Sequence, residues 1–411
     1  MPERVNSQLI KTINERRILN VIREAGPISR NELANITKIS KVAVSSIISR
    51  LDDDGYILEI GKGQSTSKGG KRPTLLKLNP DNGYVIGIQI KRGTATIALA
   101  NIESEIKGIE HINHNIDDPI DHVLSNIFHK IDSLLRVNHI PQEKLISIGI
   151  GIPGFIDYEK GVLKFAVTLR EWINHPLSSR FSEYYNVPTI IENDVNVITL
   201  SESLLGAGQG HPNLVCIYLE SGIGAGILLN GQIVRGQDSH AGEIGYLEIG
   251  NHINHINRLG NLYNNQRYFG ELLSEINLFD TLKMKLQTDP KFHNEDLEKV
   301  TLVDVLHLSD NGNLLIQEVL NEYAYPLAVI SMNLIKSLNP GLLILSGRII
   351  ENSNYLFRKV KQLIKQSMIN IPLETSTIVV GELKDRAGVV GAIVMALKTI
   401  FELPVTKTNA L

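Results

Sequence analysis

From Tyr84 onward the chain alternates apolar strand-like runs with amphipathic helical ones, and several of the strand-like runs end in glycine turns. "YVIGIQI" and "TATIALANI" read as paired strands, "HVLSNIFHKIDSLLRV" as an amphipathic helix, and "LISIGIGIPG" as a buried strand entering a turn. A second series follows: "PTIIENDVN", "NLVCIYLESGIGAGILLNG", a largely helical stretch, then "GLLILSG" and "STIVVGEL". Strands and helices interleaved in two series predict an α/β body with two lobes. The 411 residues exceed one ordinary core and fit two or three domains.

The first eighty residues have a different texture. In "RILNVIREAGP", Ile18, Val21, Ile22 and Ala25 fall on one helical face, and Gly26-Pro27 ends the helix. Ser29 followed by Glu32 forms a capping-box pattern that starts a second helix, with Leu33, Ala34 and Ile36 available for packing. Ser40 is placed to cap a third, on which Val44, Ile47, Ile48 and Leu51 make a buried stripe. The opposite face shows Lys41, Ser45, Ser46, Ser49 and Arg50, short polar groups and cations that suit a DNA major groove.

Two strand-like runs, "GYILEI" and "TLLKLN", flank "GKGQSTSKGGKRP", a glycine-laced loop with four cations and no acid. Composition alone also fits a solvated linker. The order helix, helix, helix, strand, basic loop, strand is that of a winged helix-turn-helix, and it makes the loop a wing that lays Lys68, Lys71 and Arg72 along DNA. Charge agrees: residues 1–78 hold 14 Lys and Arg against 8 Asp and Glu, whereas the rest holds 27 against 36.

One cysteine, Cys216, lies in the apolar run "NLVCIYL", so no intrachain disulfide and no cysteine-based zinc site can form. No apolar run is long enough for a membrane span and the N-terminus lacks a signal core, so a cytoplasmic protein is expected.

The ordered set "GIGIPGFID", "PTIIENDVN", "GIGAGILLNGQIVRG", "HAGEIGY" and "RAGVVGAIVMAL" resembles the ROK family of sugar kinases and sugar-responsive repressors. "ISKVAVSSIISRL" and "GGKRPTLLKLN" are similar to the DNA-binding head of its repressor branch, such as xylose repressors. The resemblance implies a winged helix-turn-helix followed by a two-lobed actin-like ATPase fold of the ribonuclease H-like (ASKHA) class. The layout it implies is 1–80 for the head, 81–195 with 386–411 for one lobe, and 196–385 for a second lobe carrying an altered zinc-loop region and dimerisation helices.

Family kinases carry a D-x-G-x-T pattern in the first hairpin, where this chain reads "IQIKRGT". Gln89 in place of Asp removes the metal's anionic partner, and Lys91 in place of Gly crowds the phosphate turn. The glycine turn "ESGIGAGI" reads as retained scaffold, and no residue is assigned a catalytic role.

The family's sugar site maps onto Gly154, Asn193, Asp194 and Glu243. Asp194 also suits a helix cap, and Glu243 also suits bonding to backbone amides in the glycine-rich turn. At the family's zinc loop Tyr246 stands for the His and Asn261, Tyr263 and Tyr268 for the cysteines, so no metal is expected, with packing by the tyrosines and Phe269 in its place. Gly270 aligns with a sugar-contacting Glu, although a shift of one residue brings in Glu271. His252 and His255 have a spacing that suits a metal, but "NHINHIN" reads as a polar loop.

The resulting expectation is a transcriptional regulator without a cofactor, a repressor of carbohydrate-metabolism genes. It would bind a palindromic double-stranded operator as a homodimer or tetramer and answer a carbohydrate effector. A regulator controlled by a partner protein and a sugar kinase with an added DNA-binding head are the alternatives.

Overall fold

The computed structural model describes residues 7–63, 72–248, 268–290, 292, 299–367 and 376–402. The head opens with helix α1 (Ser7–Ala25), strand β1 (Ile28–Ser29), α2 (Arg30–Thr37) and α3 (Lys41–Asp53), followed by β2 (Ile57–Lys62) and β3 (Thr74–Leu78). α1 stops at Ala25, where Gly26-Pro27 cannot continue it. α2 starts in a capping box: the Ser29 hydroxyl accepts from the Glu32 N–H at 3.3 Å, and the Ser29 N–H donates to the Glu32 carboxylate at 2.9 Å. The Ser29 hydroxyl, which also donates to the Glu32 carboxylate at 2.6 Å, and the Ser29 N–H hold that carboxyl below its usual value. Ser40 caps α3 by accepting from the Ala43 N–H at 3.3 Å.

Val44, Ile47, Ile48 and Leu51 of α3 pack in a core that includes Ile18, Leu19, Ile22 and Leu33. Two members of the expected stripes lie outside it: Ala25, at the end of α1, and Ile36 are exposed. Leu19 takes the inward place on α1, so the buried face is rotated relative to the simple i, i+3, i+4, i+7 reading. The head's sheet has the order β1-β3-β2, with Ile28 opposite Leu76 and Ile57 opposite Leu78.

The chain falls into two compact units, one of residues 1–150, 176–191 and 392–411, the other of 151–175 and 192–391. Residues 151–175 therefore pack with the second unit, unlike the layout expected from sequence, and so do 386–391. The first unit's sheet has the order β10-β7-β4-β5-β6, from β4 (Tyr84–Lys91), β5 (Thr94–Asn101), β6 (Ile106–Asn113), β7 (Leu145–Ile152) and β10 (Thr189–Asn193). The second unit's sheet has the order β13-β12-β11-β14-β15, from β11 (Leu214–Leu219), β12 (Ile223–Leu229), β13 (Gln232–Ile233), β14 (Leu342–Ser346) and β15 (Thr377–Val380). Both sheets thus carry a three-strand meander extended by two later strands on the side of its first strand. The repeat of this order is the actin-like, ribonuclease H-like arrangement.

In the second sheet β11 pairs antiparallel with β12 and parallel with β14, which pairs parallel with β15. β14 is buried at every residue, which accounts for the apolar run "LLIL" that precedes Ser346, whose hydroxyl donates to Glu351. The second unit's largest apolar core joins Leu343 and Leu345 to Leu278, Leu320, Tyr323 and Leu356 of surrounding helices. Among the described residues no helix is long and apolar enough to cross a membrane.

Candidate functional site

Two surfaces carry the sequence-predicted residues. On α3, Lys41, Val42, Ser45, Ser46, Ser49 and Arg50 are all exposed, opposite the buried stripe. The hydroxyl of Ser40 is engaged as the cap. Arg50, at the edge of this face, pairs with Glu15 of α1 at 3.2 Å and so ties α3 to α1. Arg72 is exposed immediately before β3, whereas Lys68 and Lys71 lie outside the described residues.

The second surface is a cavity of about 520 Å³ contained within the second unit. A hairpin of β8 (Phe155–Asp157) and β9 (Val162–Phe165) forms one wall, with Gly154 at its start. Gly154 has φ +121°, and an added Cβ would lie 2.3 Å from the Phe165 carbonyl oxygen, so only glycine fits. Its own carbonyl accepts from the Asn193 side-chain amide at 3.1 Å.

Following α4 (Ile120–Val137) and α5 (Leu177–Tyr185), helix α6 (Asp194–Leu205) points its N-terminus at the cavity. Asn193, not Asp194, is its cap: the Asn193 Oδ1 accepts from the N–H groups of Val195 and Asn196 at 2.9 and 3.2 Å. Asn193 thereby braces hairpin to helix, and Asp194, in the first turn, lines the cavity. There the positive end of α6 favours a carboxylate.

Glu243 faces the same cavity from the turn that follows Gly242. Gly242 adopts φ +89°, and an added Cβ would sit 1.8 Å from the Ala225 carbonyl oxygen. Among the described residues the Glu243 carboxylate has no hydrogen-bond partner, so the reading in which it bonds the glycine-rich turn finds no support there. Burial, aided by the charge of Asp194, pushes its pKa up to about 7. Glu220 and Glu271 also line the cavity, and among its described lining residues none is Lys, Arg or His.

The rings of Phe155 and Phe165 lie 5.3 Å apart, and Phe155 lies 5.8 Å from Tyr246. Sequence reading missed this apolar wall, because nothing in "GFIDYEKGVLKF" marks a hairpin that folds onto a distant turn. Carboxylates opposite aromatic rings can hold a polyol, hydroxyls on the acids and C–H faces on the rings.

At the positions of the family's zinc loop, Tyr246 and Tyr268 meet edge to face at 6.4 Å and Phe269 is buried in the second unit's core. The Tyr268 N–H donates to the Glu271 carboxylate at 3.3 Å. Asn261, Tyr263, His252 and His255 lie outside the described residues. Among the described residues no cluster of His, Cys, Asp and Glu suits a metal.

Two glycines of β12, just past the turn from β11, act in packing. A Cβ on Gly226 would lie 1.8 Å from the Thr199 hydroxyl, and one on Gly224 would lie 3.0 Å from the Val195 side chain, both on α6. In β4, Gln89 is only 4% exposed and offers a neutral amide where family kinases present a carboxylate. Beneath the cavity, Glu192 is 1% exposed and pairs with Arg235 at 2.6 Å, while its other oxygen accepts from the Asn193 N–H and the Asn196 amide.

The xylose repressor of Caldicellulosiruptor bescii is 28% identical over 402 residues, covering 97% of this chain and 99% of its own. Among solved structures, a ROK family transcriptional regulator described as a homologue of the E. coli Mlc protein superposes with a TM-score of 0.80 at 22% identity, covering 96% of this chain and 97% of that one. A ROK family glucokinase from Streptomyces griseus, in complex with glucose and AMPPNP, gives a TM-score of 0.64 at 20% identity, over 76% of this chain and 99% of the kinase. Those structures speak for the fold. A winged helix-turn-helix DNA-binding model matches residues 11–57 and the ROK family model matches residues 85–399, so the chain belongs to the ROK family.

Proposed function

We propose that this chain is a DNA-binding transcriptional regulator, a repressor of carbohydrate-metabolism genes, whose body is a sugar-kinase scaffold converted into an effector sensor. The observation that carries the reading is the pairing, in one chain, of a basic winged helix-turn-helix with a body that keeps an acidic, aromatic cavity but has Gln89 at the position of the metal-organising Asp. Without that anion a nucleotide's metal has no anchor, and phosphoryl transfer loses its main source of charge stabilisation. The repressor similarity runs over nearly the whole chain, whereas the glucokinase aligns with about three quarters of it.

In this reading the exposed face of α3 enters the major groove and the wing follows the phosphates. A homodimer presents two heads to a palindromic operator. The effector is a neutral carbohydrate: four carboxyl groups line the cavity with no cation among the described lining residues, a setting that accepts hydroxyl donors and repels a phosphate. The cavity's volume, about 520 Å³, lies in the range of small-molecule sites.

The test is binding of the purified protein to DNA upstream of its own and neighbouring genes, repeated with matched sugars and sugar phosphates. Release of a specific complex by one unphosphorylated sugar and not by its phosphate is expected. A specific complex indifferent to every compound would transfer effector sensing to a partner protein, and ATP-dependent phosphorylation of a sugar would restore the kinase reading.

A further inference from the structure

Val42 is 83% exposed, the highest value of any large apolar side chain among the described residues. It is the second residue of α3 and shares one exposed side with Ser45, Ser46 and Ser49, at i+3, i+4 and i+7. Neither helix stability nor core packing accounts for a valine there. A β-branched residue is a weaker helix former than most polar alternatives, and its methyl groups meet water. The serines around it are too short to cover it.

The surroundings indicate what does. Lys41 precedes Val42, the head carries an excess of positive charge, and the N-terminal residues of such a helix are the ones that approach base edges. In a major groove the one apolar group on display is the C5-methyl of thymine. We infer that Val42 packs against a thymine methyl in each operator half-site, which makes an A·T pair at that position a determinant of sequence choice. The inference rests on the reading of α3 as the element in the major groove. It adds an apolar contact to the hydrogen-bonding serines and gives each half-site one position read without a hydrogen bond.

The experiment uses the full-length protein. Preferred duplexes are selected from a random pool, and each thymine of the selected half-site is then replaced singly by deoxyuridine, which removes the methyl and keeps the base pair. At one thymine per half-site the parent protein should lose about fourfold in affinity, the value of one buried methyl. Val42→Ala should bind the thymine duplex about fourfold more weakly for each half-site engaged and be indifferent to the replacement, with an unchanged melting temperature because the side chain is exposed. A parent protein insensitive to every replacement would overturn the inference, as would a loss that persists undiminished in Val42→Ala. Selection of no sequence at all would refute the DNA-reading role of α3, and the Val42 contact with it.

Discussion

The Asn20 side-chain amide donates to the Phe401 carbonyl at 2.7 Å, joining α1 of the head to the last turn of the C-terminal helix, Ala387–Phe401, across 381 positions of chain. Arg16 donates to the Glu402 carbonyl beside it, and the Arg23 guanidinium lies 4.1 Å from the centre of the Phe401 ring. Residues 16, 20 and 23 share one face of α1, and the carbonyls they meet are those a helix end leaves without internal partners. The head is thus seated on a helix end by donors, a cation and a ring.

Phe401, 4% exposed, is the apolar part of that seat. Phe401→Ala should cost about 3 kcal/mol, as for other buried phenylalanines. Hydrogen exchange should quicken in α1 and leave β11 and β14 at their parental rates. Uniform acceleration across the chain would show that the ring supports the whole fold and not the seat.

Glu243 gives a pH dependence of known sign. Its pKa of about 7 in the fold exceeds the ordinary 4.5, so the folded state binds its proton more tightly than the unfolded chain. The associated stability is fully present below the ordinary value and is lost as pH rises through about 7. Glu243→Gln, which stays neutral, should therefore be more stable than the parent at pH 8 and show no such advantage at pH 4. Urea unfolding at the two pH values measures the difference.

The glycines of the β11–β12 hairpin, Gly222 in the turn and Gly226 in β12, separate scaffold from nucleotide loop. Gly222 has open space at its Cβ position, while Gly226 abuts the Thr199 hydroxyl. Gly222→Ala should leave stability and operator binding unchanged. Gly226→Ala should lower the melting temperature by several degrees, and pairing it with Thr199→Ala should recover much of the loss. A working phosphate loop would show the reverse emphasis, with Gly222→Ala abolishing nucleotide binding in a protein of normal stability.

Much of this was legible in the sequence because the signals were local. The Ser29 and Glu32 capping box, the Ser40 cap and the α3 stripe each rest on residues within one or two turns, and all three are present. β6 was missed because it is an edge strand on which only Ile112 is buried, leaving little apolar alternation in "IKGIEHIN". The cap of α6 went to Asn193 rather than Asp194, a choice between adjacent residues that composition cannot make. At the site, Asp194 and Glu243 were identified from motifs, whereas Glu220 and the wall of Phe155 and Phe165 depend on packing between segments far apart in sequence.

Glu192 and Arg235 belong to that long-range group. A carboxylate 1% exposed requires its partner, since removing the half-buried Arg235 leaves the buried Glu192 charge without its cation. Arg235→Ala should destabilise the protein by about 3 to 5 kcal/mol. Combining Arg235→Met with Glu192→Gln, which removes both charges, should recover a large part. Chemical denaturation of the single and double variants checks both figures, and a neutral Arg235→Ala would mean that the Asn193 and Asn196 donors alone satisfy Glu192.

The wing and α3 should differ in how they fail. Arg72 is exposed beside β3, in a loop free of acids, so its contribution to binding is a phosphate contact that releases a counterion. Lys71→Ala with Arg72→Ala should weaken binding to every sequence and lower the slope of log affinity against log salt by about two units for each half-site engaged. Ser45→Ala or Ser46→Ala should keep the parental slope, because a hydroxyl displaces no ion, and should shift which base pairs are preferred. Arg50→Ala should act through stability instead, since its partner is Glu15 within the head. Salt titrations on the selected duplex and on a scrambled one distinguish the three classes. A uniform, slope-changing loss from the serine variants would move the reading surface off α3.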